Sequence, residues 1–205
     1  MKSSETQIIF PTAYFPPISY FISLLKYDTV EFEIFETYPK QNIRNRCNIL
    51  TANGLLNLTV PVNKPYGNKT TTGEILIFNE EHWQKKHFRA MESAYKSSPF
   101  YDYYIHQFEP IFSNRFEQLT DLNTQILKVI LKILKIHLEF NVTKEYHHSE
   151  ENIIDFRNTL DDRNSKLNPY NQVFSDRFPF QSDLSILDLI FNEGPNTMSY
   201  LKSNI

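Results

Sequence analysis

"QIIFPTAYFPPISYFISLLKYDTVEFEIF", residues 7–35, reads as a strand, a stiff turn, a helix and a second strand. The flanking runs are rich in β-branched and aromatic residues, which suit a pleated, half-buried surface. Between them, Pro11, Pro16 and Pro17 fix φ and withdraw backbone donors, so "PTAYFPP" is a rigid loop. A helix follows from Pro17 or Ile18 to about Lys26, with proline tolerated at its start. Strand, helix and strand in succession predict an α/β fold. A stiff loop after a first strand is a common ligand-binding place in such folds, and equally a plain rigid turn.

Outward from this unit, "QNIRNRCNILTANGLLNLTVPV", residues 41–62, predicts a β-hairpin around Asn53-Gly54. With those two residues as the turn, Cys47 faces Val60, Ile49 faces Leu58 and Thr51 faces Leu56 on an apolar side. Arg44, Arg46 and Asn48 share the other side, where two arginines can clamp a carboxylate or phosphate bidentately. The same pattern fits the ordinary polar face of a hairpin. Cys47 on the apolar side predicts an inert packed thiol. The loop "NKPYGNKTTTG" lacks phosphate-loop spacing, and "EILIF" is a short strand.

Residues 82–100, "HWQKKHFRAMESAYKSSPF", predict an amphipathic helix. Trp83, His87, Ala90 and Ala94 fall on one face, and Lys85, Arg89, Glu92 and Lys96 on the opposite, solvated one. His87 therefore points inward, as a hydrogen-bonded core histidine or as a base held neutral near pH 7. An aromatic helix, "PFYDYYIHQFEPIF", comes next, and then a core helix over 119–140 with a narrow polar stripe. Residues 141–182 read as an irregular surface excursion. "SDLSILDLIFNEGP" is a helix capped by Ser182 or Asp183 and stopped by Gly194-Pro195, and a short helix closes the chain. His147-His148, with Ser149, Glu150 and Glu151, reads as an exposed turn because adjacent histidines point apart.

The expected whole is one domain over residues 1–205: a small mixed sheet containing the Asn-Gly hairpin, packed by several helices, with a helical C-terminal half. At net charge −3 the chain is not a dedicated nucleic-acid binder. Its one cysteine excludes an intramolecular disulfide and a cysteine-built metal site. No metal or other cofactor is expected. Lysines interrupt the longest apolar segment, so no membrane span is expected, and the N-terminus lacks a signal-peptide pattern. The cytoplasm is the expected location. Nucleophile-elbow, dinucleotide and zinc-protease motifs are missing.

"YFPPISYF", "KQNIRNRCNI" leading into "LTVPV", "HWQKKHFRAMESAYKSSPFYDYY", "YNQVF" and "LSILDLIFNEGP" together resemble, in order and spacing, the WbqC-like family, over roughly Ile8 to Leu201. Many members open with His or Gln before a proline, where this chain has "FPTAYFPP". The family motifs map to Tyr14, Pro16, Arg44, Asn45, Arg46, Pro61, Trp83, His87, Tyr95, Pro99, Asn192 and Glu193. The resemblance implies bacterial surface-polysaccharide synthesis, such as O-antigen or capsule. It further implies transfer of glycine or another acyl group to an amino sugar or nucleotide sugar, from an aminoacyl donor. On that basis His87 is the expected base, and Arg44, Asn45 and Arg46 hold the anionic ligand while Tyr14, Trp83 and Tyr95 shape the pocket. The alternative is a non-catalytic sugar- or partner-binding protein of the same pathway.

Overall fold

In the computed structural model the fold is α/β, and it is described for residues 6–148, 152–160 and 167–205. The opening unit forms as the sequence indicates. Strand β1 (Gln7–Pro11) leads through the proline-rich loop into helix α1 (Ile18–Leu24), which returns to β2 (Thr29–Glu33). β1 and β2 are parallel, with Phe10 opposite Phe32.

Two further strands complete this sheet, and both lie where the sequence reading placed something else. The expected helix over 119–140 ends early: α4 is Leu119–Leu134, and Lys135 closes it at φ 54°. Beyond it Leu138, Phe140 and Val142 alternate with polar residues, a period of two that makes β7 (Glu139–Val142). β7 pairs parallel with β2. The supposed irregular excursion supplies β8 (Ile153–Asp155), which pairs parallel with the far side of β1. The four-stranded sheet thus runs β7-β2-β1-β8 and is entirely parallel, not mixed.

The hairpin is a separate two-stranded sheet of β3 (Arg46–Thr51) and β4 (Gly54–Thr59). Its register differs from expectation: Cys47 pairs with Leu58, Ile49 with Leu56 and Arg46 with Thr59. A turn centred on Asn53-Gly54 needs positive φ at both residues. Here Ala52 and Asn53 are the central pair, neither has positive φ, and Gly54 alone takes φ 97°. The shift is two residues along β4, so sidedness survives, and Cys47 and Ile49 are buried. Burial raises the Cys47 thiol, consistent with an inert core sulfur. A short ladder, β5 (Val62–Asn63) with β6 (Leu76–Ile77), extends the chain beyond the hairpin.

Helices α2 (Trp83–Tyr95), α3 (Tyr101–Ser113) and α4 pack against these sheets, and α5 (Ile186–Glu193) with α6 (Thr197–Ser203) close the core. The cap of α5 is Ser185, whose hydroxyl accepts from Leu187 N at 3.3 Å. Asp183 works elsewhere: its carboxylate accepts from the backbone N and hydroxyl of Ser19, both at 2.7 Å, in the first turn of α1. The segments "SSPF" and "FNEGP" pack directly against each other. Gly194, at φ 51°, lies against the Phe100 ring, and Phe100 N donates to Phe191 O at 3.0 Å. No helix among the described residues is long and apolar enough to cross a membrane.

Candidate functional site

All four strands of the main sheet point the same way, so their carboxyl ends form one edge. Chain order reverses there: β1 is followed by β2 and then β7 on one side, while β8 joins on the other. In open parallel sheets such a reversal leaves a crevice beyond the strand ends, the usual ligand position. The residues at this edge are Thr12 after β1, Glu33 ending β2, Thr143 after β7, and Asp155 and Arg157 at and after β8.

Glu33 is fully buried, and its carboxylate is saturated. It accepts from Phe35 N at 2.8 Å, Thr143 Oγ1 at 2.9 Å and His147 N at 3.1 Å, and meets Arg157 Nη1 at 3.4 Å. Arg157 forks onto Asp155, with Nε at 2.9 and 3.0 Å and Nη2 at 2.7 Å, and its guanidinium lies 5.0 Å from the Tyr146 ring centroid. Burial works to raise the Asp155 carboxyl, but the hydrogen bonds and charge of Arg157 outweigh it and hold the group below the usual range.

Arg44 occupies the middle of this edge. The sequence placed it on an exposed strand face beside Arg46; it is instead 1% exposed, in the turn before β3. Its Nε and Nη2 reach Glu36 Oε1 at 2.6 and 2.5 Å, and Nη2 meets the Arg157 carbonyl at 3.4 Å. Burial pushes the Glu36 carboxyl up, and Arg44 offsets part of that. Asn123 from α4 donates to the Arg44 carbonyl at 2.8 Å and to Thr12 Oγ1 at 3.4 Å. A bidentate clamp of two free arginines therefore does not form, because Arg44 is committed to Glu36. Asn45 is also structural in its contacts: Nδ2 donates to Val60 O at 2.9 Å, and Val60 N donates to Asn45 O at 2.8 Å. Arg46 is different. It is half-buried, and its Nε is shielded from solvent without an acceptor among the described residues.

Tyr14, Trp83 and His87 form a compact interior group. The His87 imidazole lies inside α2's buried face, as the spacing indicates, with Lys85 and Arg89 exposed opposite. Its Nδ1 is 2.8 Å from the Tyr14 hydroxyl, and the backbone of Thr59 also bonds it. Trp83 meets both rings edge-on, at centroid distances of 5.3 Å to His87 and 6.2 Å to Tyr14. Burial pushes His87 down to about 4, so the ring is neutral at pH 7. Thr59 is the ladder partner of Arg46, so His87 backs directly onto the hairpin that carries the unpaired arginine. Tyr95 lies apart from this group, beside Asp188 of α5. Asp188 is buried and accepts from Tyr170 Oη at 2.5 Å and Gln172 Nε2 at 3.1 Å.

The seven sequence-singled residues thus occupy three places: the hairpin base, the interior face of α2, and the α5 carboxylate. The residues that organise the sheet edge, Glu33, Glu36, Asn123, Asp155 and Arg157, were not singled out. Asn123 carried a visible signal, as a polar residue on the apolar face of α4. The paired carboxylates carried none, because their partners are tertiary.

His147 lies 3.9 Å from Glu31 and His148 is exposed; Ser149, Glu150 and Glu151 lie outside the described residues. Among the described residues no group of three His, Cys, Asp or Glu side chains is placed to hold a metal ion. No curated protein and no solved structure matches the chain. A family model does match, that of the WbqC-like protein family, over residues 12–165. The match takes in the proline-rich loop, the hairpin, α2 and the sheet-edge ion pairs, and stops before the Tyr170 and Asp188 segments. With three quarters of its length so matched, this chain belongs to the WbqC-like protein family.

Proposed function

We propose that this protein is a transferase of bacterial surface-polysaccharide synthesis, O-antigen or capsule, that adds glycine or another acyl group to an amino sugar or nucleotide sugar. The pathway is what the family resemblance implies. The observation that carries the site is the half-buried Arg46, whose Nε has no acceptor among the described residues, two positions along the chain from Arg44, which meets the Arg157 carbonyl at the carboxyl edge of the parallel sheet. In the reaction the sugar amine attacks the carbonyl carbon of an activated aminoacyl donor. The C–N bond forms, the donor's leaving group departs with its bonding pair, and the amine proton passes to a base. Arg46 holds the anionic part of the ligand, while Arg44, fixed by Glu36, holds the turn that presents it. Tyr14, Trp83 and His87 brace the hairpin from behind. His87 is neutral, as a base must be, and serves as one only when the Tyr14 hydroxyl turns away from Nδ1.

One observation favours a second reading, a non-catalytic sugar- or partner-binding protein of the same pathway: His87 Nδ1 is engaged in the interior by the Tyr14 hydroxyl. A thermal-shift screen of nucleotide sugars, amino sugars and aminoacyl donors, followed by mass spectrometry of the mixtures, separates the two. An acylated amino sugar is the expected product. A bound sugar with no product supports the second reading, and no stabilisation by any sugar defeats the transferase and the sugar-binding form of the second reading.

A further inference from the structure

Two chain segments meet at the base of the hairpin, residues 38–46 and 59–64. The reciprocal Asn45–Val60 bonds tie them at one end. At the other, Lys64 Nζ lies 4.7 Å from the Tyr38 ring centroid and donates to Tyr38 O at 3.4 Å. Tyr38 is 5% exposed, yet among the described residues its hydroxyl has no hydrogen-bond partner. Arg46 Nε, also shielded, has none either. Among the described residues no carboxylate lies within ion-pair distance of Lys40, Arg46 or Lys64; the neighbouring acid, Glu36, is taken by Arg44. The crowding of like charge is felt: burial, then the charge of Lys40, lowers the Lys64 ammonium, and the charge of Arg46 reaches the Tyr38 hydroxyl. A chain of net charge −3 thus gathers three cations without a carboxylate partner among the described residues, and Arg46 Nε, which belongs to one of them, and the Tyr38 hydroxyl are buried, unused donors. Buried donors without acceptors are rare in folded proteins and point to a missing partner.

We infer that Arg46, Lys64 and Tyr38, extended by Lys40, form a subsite for a phosphoryl anion. The donors differ in kind: a planar guanidinium fork, an ammonium point charge and a hydroxyl. A phosphoryl group offers enough oxygens to accept from all of them at once, where a carboxylate offers two. A third positive side chain at Lys40 suits a diphosphate better than a monophosphate. Equating this diphosphate with that of a nucleotide sugar rests on the function proposed above; the anion site itself does not.

The test is titration calorimetry of the full chain with inorganic pyrophosphate, inorganic phosphate and acetate, and with a uridine diphosphate sugar. Pyrophosphate is expected to bind more tightly than phosphate, and acetate not measurably. Arg46→Gln and Lys64→Gln are each expected to weaken pyrophosphate by about tenfold or more, the scale of one lost charge-assisted bond. Tyr38→Phe, which keeps the buried ring, is expected to weaken it by a smaller factor, and Lys85→Gln on the exposed face of α2 by none. Undiminished pyrophosphate binding in an Arg46→Gln/Lys64→Gln protein of wild-type urea midpoint overturns the subsite, as does no binding by wild type. If pyrophosphate binds through these residues but the nucleotide sugar binds no better, the subsite stands and the sugar reading fails. If the nucleotide sugar binds and pyrophosphate binding does not depend on Arg46 and Lys64, the sugar reading stands and the subsite fails.

Discussion

The Tyr14 hydroxyl and His87 Nδ1 lie 2.8 Å apart with both side chains buried, so the loop after the first strand is fastened to the inner face of α2. The contact holds the imidazole in the interior, and its burial there ties its charge state to stability. His87 is pushed down to about 4, whereas in the unfolded chain it titrates near its ordinary value of 6.5. The unfolded state then binds more protons between these values, so this contribution is present above about pH 6.5 and is lost as pH falls through about 4. Its full size is about 3 kcal/mol. His87→Gln keeps an acceptor for Tyr14 and is expected to flatten that acid-side loss in urea melts taken between pH 4 and 7. An unchanged slope would sink the assignment. His87→Phe, which strands the Tyr14 hydroxyl, is expected to cost a further ~1–3 kcal/mol at every pH.

Asp188 gives the opposite sign in an overlapping window. Burial pushes its carboxyl up to about 6, against hydrogen bonds that work to lower it. The native state holds this proton more tightly than the unfolded chain does, so the contribution is complete below about pH 4 and is lost as pH rises through about 6. The loss is again about 3 kcal/mol, and the two groups offset each other in the wild-type profile. In Asp188→Asn the amide oxygen can accept from Tyr170 and Gln172, both of which now donate to one carboxylate oxygen. That variant is expected to match or exceed wild type at pH 8 and to lose its relative advantage by pH 4. Asp188→Ala is expected to cost ~1–3 kcal/mol, since the Tyr170 hydroxyl then loses its acceptor while Gln172 Nε2 keeps the Gln181 carbonyl at 2.9 Å. Equal urea midpoints for the Asn variant's difference from wild type at pH 4 and pH 8 would refute the raised carboxyl.

Gly194 tests the junction of α5 with the start of α3. A Cβ at this position would lie 2.4 Å from Phe100 Cγ, at a φ of 51°. Gly194→Ala therefore meets both a left-handed backbone strain of ~1–2 kcal/mol and an overpacking cost of ~1–3 kcal/mol. Phe100→Ala opens the space and leaves only the strain. In a double-mutant cycle, Gly194→Ala is expected to cost ~1–3 kcal/mol less in the Phe100→Ala background. Additive thermal shifts would mean that the ring is not what excludes the methyl.

Local pattern carried the β1-α1-β2 unit, the inward face of α2 and the sidedness of the hairpin, because each depends on residues a few positions apart. The hairpin register was lost to one detail of backbone conformation, with Gly54 alone taking positive φ. β7 was hidden because the apolar positions of α4 run on into its own alternation. β8 was hidden because three residues beside charged neighbours look like loop until β1 pairs with them. The same blindness covers the site. Glu33, Glu36, Asp155 and Arg157 look like solvated charges in one dimension, and only contacts between residues 113 and 124 positions apart in sequence show otherwise. Arg44 was misplaced for that reason, while Arg46, whose strand parity is local, kept its polar side.

Arg44 and Glu36 supply the sharpest test of what that buried network does. Their pair is desolvated, and Arg44 also reaches the Arg157 carbonyl while Asn123 grips its backbone. Removing one partner of a buried pair leaves an uncompensated charge, so Arg44→Met and Glu36→Gln are each expected to cost ~3–5 kcal/mol. Replacing both removes the stranded charge, and the double variant Glu36→Gln/Arg44→Met is expected to recover most of that loss in urea midpoint. If Arg44 served mainly as a ligand-binding cation, the double variant would regain stability but bind pyrophosphate far more weakly than wild type. If it serves to hold the turn that presents Arg46, the refolded double variant keeps most of its pyrophosphate affinity, and only Arg46 and Lys64 substitutions remove it. The second outcome is the one expected, because both Arg44 nitrogens nearest Glu36 already have their acceptor and Arg46 Nε does not.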